Sequence, residues 1–109
     1  MPGDAFIEEI NTAYRRLGAA TEGMARADRE LAKHVRQVRL DNAEAILEAR
    51  NERTANLYLE GLLDTDEHRY LEAGKAKAEL ALQHARLEVE RLQLIVRLLG
   101  TRAGEAMQG

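Results

Sequence analysis

Apolar residues recur at intervals of three and four through most of the chain. From Ile7 the series runs Ile10, Tyr14, Leu17, Thr21, Met24, Asp28, Leu31, Val35 and Val38. These are successive a and d positions of a heptad, with Thr21 and Asp28 as polar exceptions, and so narrow a seam suits helix-on-helix packing. Beyond Val38 the register loosens. Asn42, Ala45 and Ala49 continue it weakly, while Leu40, Ile46 and Leu47 open a neighbouring stripe, and a drifting stripe points to a multi-helix contact. Asp4, after Pro2 and Gly3, is placed to cap the start. The pattern predicts one helix from about residue 4 to about residue 61. Gly18 and Gly23 each cost a helix interior about 1 kcal/mol relative to alanine. Either the helix runs through them, kinked, or it breaks between them.

A turn is expected at about residues 61–65, with Gly61 as a helix C-terminal cap. Asp64 and Glu67 then have capping-box spacing, and the acidic run Asp64, Asp66, Glu67 suits the positive end of a new helix. That helix is expected from about 65 to about 99, with a regular seam of Leu71, Lys75, Ala78, Leu82, Ala85, Val89, Leu92, Val96 and Leu99. Leu80, Leu87 and Leu94 repeat every seven residues on another face, extended by Leu98, and Ile95 sits between the stripes. A helix apolar on two faces needs two partners. Gly100 is placed to stop it, which leaves residues 100–109 as a flexible tail.

The fold class is therefore all-α: a single domain, residues 1–109, forming a long antiparallel helical hairpin of coiled-coil type. At 1.5 Å per residue the first helix reaches roughly 85 Å and the second roughly 50 Å. The second then covers only part of the first and leaves apolar residues without a partner, as an interface would. The expected oligomer surface comprises Ile7, Ile10, Tyr14, Leu17, Met24, Leu31, Leu80, Leu87 and Leu94. It predicts a homodimer or higher oligomer that assembles into a helical bundle.

Composition narrows the function. The 109 residues include no cysteine, no tryptophan and four aromatics, with 16 Lys and Arg against 19 Asp and Glu, for a net charge of −3. Without cysteine there is no disulfide framework, thiolate metal site or cysteine nucleophile. A dedicated nucleic-acid module is usually strongly basic, and this chain is not. No apolar stretch approaches the roughly 20 residues of a membrane span. The start of the chain lacks a signal-peptide pattern, so a cytoplasmic protein is expected.

Arg26, Arg29, Lys33 and Arg36 fall on one helical face, a row about 15 Å long. It either is a solvated outer face or tracks two or three phosphates. Asp64, Asp66, Glu67 and His68 form a carboxylate–imidazole cluster, but it lacks the twelve-residue ligand pattern of a calcium loop, and capping explains the acids better. His34 and His84 stand isolated. With no serine, no cysteine and no phosphate-binding glycine loop, no catalytic residue, metal ligand or cofactor is expected. Tyr58 and Tyr70 are expected to pack on each other across the turn. Asp28 and Asn42 either fix the register of the seam, as polar a-position residues do, or lie where it is exposed.

The stretch Glu52-Arg53-Thr54-Ala55, the run Glu67-His68-Arg69-Tyr70-Leu71, the alanine-rich helix with Glu88 and Arg91, and the ending Arg97 to Arg102 resemble small coiled-coil hairpin proteins of tailed phages and prophages. The resemblance covers roughly residues 45–107. It implies a phage accessory protein, often encoded near recombination and replication genes, working in the host cell cytoplasm, and it carries over no catalytic residue. The expected function is non-enzymatic binding of a partner protein. The alternative is a nucleic-acid-binding accessory factor that uses the basic stripe.

Overall fold

The computed structural model describes residues 2–108, and the side chains of residues 3–102. The described residues form four helices and no strand: α1 (Pro2–Asp41), α2 (Ala43–Leu47), α3 (Glu52–Leu62) and α4 (Asp66–Gln108). α1 and α4 are the long arms of a helical hairpin. The contacts divide the chain into two compact units, Met1–Glu22 with Glu79–Gly109, and Gly23–Ala78, where the periodicity suggests one domain.

Several of the predicted boundaries move. The first helix does not break at Gly18 or Gly23: α1 is continuous through both, no described residue has positive φ, and a Cβ at either glycine would meet nothing within 4 Å. The interruption comes later, at asparagines. The Asn42 side chain donates to the Val38 carbonyl at 2.9 Å, competing with the helix's own ladder. Asn51 is extended at φ −157 and ψ 173, and its Oδ1 accepts from the Thr54 amide at 2.8 Å, so it caps α3. The segment expected as one helix over about 4–61 is therefore three. At its start, α1 begins at Pro2 with Asp4 already in the first turn, since a proline is tolerated where the amides have no helical partner.

At the turn, Gly61 lies inside α3, and the C-cap is Leu63 in the right-handed region. Thr65, not Asp64, caps α4, its Oγ1 accepting from the His68 amide at 3.2 Å. At the other end α4 runs on through Gly100 to Gln108, so residues 100–108 are helical where a tail was expected; Gly109 lies outside the described residues. One glycine costs about 1 kcal/mol in a helix interior, too little to end a helix of 43 residues packed along a partner.

The longer α4 removes the expected mismatch in length, because α1 has 40 residues. In the first unit Ala13, Val89 and Leu92 form the buried core, and Phe6, Ile10, Leu17 and Ile95 pack against it. Ala13 and Ala85 are 3% and 7% exposed, and side chains this small let two helices approach closely. In the second unit Leu31, Val35 and Val38 of α1 and Leu71, Lys75 and Ala78 of α4 are half-buried, and α2 packs on α3. Among the described residues no helix is long and apolar enough to cross a membrane.

Candidate functional site

Four of the residues expected at an oligomer surface are committed within the chain. Ile10 and Leu17 pack against the buried core, and Met24 and Leu31 are half-buried. Ile7 and Tyr14 remain open at 57% and 49% exposure. Tyr14 joins Ile10, Val89, Leu92, Gln93, Val96 and Arg97 around a shallow groove of about 390 Å³. Gln93 Nε2 donates to the Tyr14 hydroxyl at 3.0 Å.

The leucine stripe of α4 is open along its length. Leu80, Leu87, Leu94 and Leu98 are all more than half exposed. Val89, 6% exposed in the core, stands nine residues from both Leu80 and Leu98. Nine residues make two and a half turns, so Leu80 and Leu98 face directly away from the packed side. His84 and Arg91 lie between the leucines. The series Leu80, His84, Leu87, Arg91, Leu94, Leu98 steps by four and three throughout, with leucine at alternate positions and at the end.

Arg91 is the polar centre of this unit. Its guanidinium donates to Glu88 and to Glu9, each at 2.9 Å. The hydrogen bond from Arg91 holds the Glu88 carboxyl below its usual range. The bonds to Glu88 first and Glu9 second push the Arg91 guanidinium above its own. All three groups are at the surface, where ion pairs add little stability but fix which side chains face each other.

In the second unit Arg26, Arg29, Lys33 and Arg36 are all exposed, and among the described residues none makes an ion pair. The acidic cluster at the turn does not gather around an open centre. Asp64 and Asp66 each accept from Arg69 at 2.6 Å, and these bonds, Asp66 first, raise the Arg69 guanidinium. His68 Nε2 lies 2.6 Å from Glu72. Among the described residues no three His, Asp or Glu side chains come together as a metal site would need.

His34 is not isolated. Its ring centroid lies 5.5 Å from that of His68, tilted by 31°, and its Nδ1 is 3.7 Å from Glu67. That contact joins α1 to α4, whereas the expected packing of Tyr58 on Tyr70 across the turn does not form: Tyr70 is 78% exposed. Asp28 reaches Lys75 at 3.3 Å and ties α1 to α4, whereas Asn42 marks the end of α1. Leu40, Ile46 and Leu47 line a second apolar groove with Leu59 of α3. Of that drifting stripe only Ile46 is half-buried, while Leu40 and Leu47 are 63% and 84% exposed.

No family model, curated protein or solved structure matches this chain.

Proposed function

We propose that this chain is a non-enzymatic helical interaction protein that binds other proteins, beginning with a second copy of itself. One observation carries the reading: α4 is apolar on two opposite sides, and α1 covers only one. The outer side has the four-three spacing of a coiled-coil seam. The resemblance to phage coiled-coil hairpins leads the same way, toward an accessory factor that acts by contact.

The seam also specifies an orientation. In a parallel pair, His84 would face His84 and Arg91 would face Arg91, setting like charges together. In an antiparallel pair centred on Val89, Leu80 meets Leu98, His84 meets Leu94, and Arg91 meets Leu87 beside the partner's Glu88. The antiparallel arrangement matches charge and puts a leucine in every layer. The apolar groove at Tyr14 is left open for a further partner helix, which would lay its own apolar face into it.

Sedimentation velocity across the micromolar range tests the reading. The expected result is reversible dimerisation, abolished by Leu87→Glu with Leu94→Glu while far-UV circular dichroism stays unchanged. A chain that remains monomeric throughout would overturn it. Orientation can be read directly because the chain has no cysteine. Leu80→Cys and Leu98→Cys proteins, mixed under mild oxidation, should cross-link to each other and not to themselves.

A further inference from the structure

A groove in the second unit combines features that the leucine stripe lacks. It lies between α1 and α4, has a volume of about 380 Å³, and is lined by Gly23, Arg26, Glu30, Tyr70, Gly74 and Lys77, among others. Its walls are low because Gly23 and Ala27 on one helix face Gly74 and Ala78 on the other. Tyr70, 78% exposed, stands at its edge with an open ring face. The groove brings a cation from each helix to one place, Arg26 from α1 and Lys77 from α4, although they are far apart in sequence.

Like most Lys and Arg side chains of the chain, Arg26 and Lys77 have no carboxylate partner among the described residues. Arg69, Lys75 and Arg91 are each matched to a carboxylate. Among the described residues the neighbouring Arg29 and Lys33 make no ion pair either, in a chain with more acids than bases. Arg26 and Lys33 are seven residues apart on α1, or about 10 Å along its axis. The basic row therefore continues from the groove along the outside of the helix.

We propose that this groove binds single-stranded nucleic acid. A base stacks on the Tyr70 ring, Arg26 and Lys77 hold the flanking phosphates, and Arg29 and Lys33 receive the strand as it leaves. Stacking on an aromatic combined with a positively charged track is how proteins hold unpaired strands. Glu30 at the groove cannot face a phosphate. It serves as an acceptor for a base N–H, which favours bases with an exocyclic amine. A duplex offers no free base face to Tyr70 and is excluded. The site is independent of the leucine stripe and does not rest on self-association.

Fluorescence anisotropy of the full chain with a labelled mixed-sequence single-stranded DNA oligonucleotide tests the proposal. Binding should weaken with salt, with a log–log slope of about −0.7 for each phosphate contacted. Tyr70→Ala should weaken it by about 5- to 150-fold, the range for loss of one stacked base, and Tyr70→Phe should restore it. Arg26→Ala with Lys77→Ala should weaken binding and flatten the salt slope. These side chains are exposed, so unchanged circular dichroism is expected of each variant. Leu87→Glu with Leu94→Glu should leave DNA binding intact, which separates this site from the proposed dimer seam. No binding at low salt, equal affinity for a duplex of the same sequence, or a Tyr70→Ala protein that binds like the wild type would each overturn the proposal.

Discussion

Leu92→Ala tests how the first unit is held together. Leu92 is 3% exposed in a core whose other buried members are Ala13 and Val89. The substitution removes three carbons from burial, worth about 2.4 kcal/mol at 0.8 kcal/mol each. A cavity would add to that in a rigid core. Here the surrounding Phe6, Ile10 and Ile95 are only partly buried, so they can settle into the space and keep the added term small. The expected loss is about 2–3 kcal/mol, near the low end for buried leucines. Leu94→Ala, two residues on, is the control. Leu94 is 54% exposed, so its truncation should cost the monomer no more than about 1 kcal/mol. Urea unfolding of both variants, followed by far-UV circular dichroism at low and high protein concentration, separates the effects. The Leu92 loss should be independent of concentration, and the Leu94 loss should grow with it as dimers form. A Leu92→Ala protein destabilised by less than about 1 kcal/mol would refute the assignment of the core.

Three further outcomes are expected. Gly18→Ala should stabilise the chain by about 0.5–1 kcal/mol, because α1 is helical there and the new methyl meets nothing; thermal denaturation showing a loss would mean that α1 is not continuous at that point. Asn51→Ala should cost about 1 kcal/mol by removing the α3 cap, and hydrogen exchange at the Thr54 amide should quicken while the α1 amides are unaffected. The Arg91–Glu88 pair should make stability depend on acid. Since Arg91 lowers the Glu88 carboxyl from its ordinary value of 4.5, the pair contributes fully above that pH, and its contribution is lost as pH falls through the lowered value. The thermal midpoints of wild type and Arg91→Gln should therefore converge in acid, and a gap that persists there would count against the pairing.

The seam of α4 was legible in the sequence as far as Leu92, because Leu71, Leu82, Val89 and Leu92 keep helical spacing and carry the register through Lys75, Ala78 and Ala85. Val96 and Leu99 continue the spacing but are exposed. On α1 only half of the packed face was legible. Ile10, Leu17, Met24, Leu31 and Val38 do turn inward, but the neighbouring inward column is Phe6, Ala13, Ala20, Ala27 and His34 rather than Ile7, Tyr14, Thr21 and Asp28. Alanine is the reason: it buries little area and hardly registers as apolar pattern, yet Ala13 is 3% exposed and Ala20 and Ala27 are half-buried. The asparagine breaks were half-visible, since the register loosens at Asn42 and Asn51 precedes a helix-forming run. The meetings of Arg26 with Tyr70 and Lys77, and of His34 with His68, were not legible. They join residues more than thirty positions apart and depend on where the turn sets the register of α4 against α1.

The interruption after α2 has a consequence for how the polypeptide can be cut. Of the sixteen Lys and Arg residues, fifteen lie within the four helices, whose backbone cannot enter a protease cleft without local unfolding. Arg50 alone lies outside them, exposed and next to the extended Asn51. Brief trypsin treatment of the folded protein should therefore nick it first after Arg50, near the middle of the chain. The two fragments would carry α1 and α4 separately, and the pairing of those helices would keep them together until a denaturant releases them.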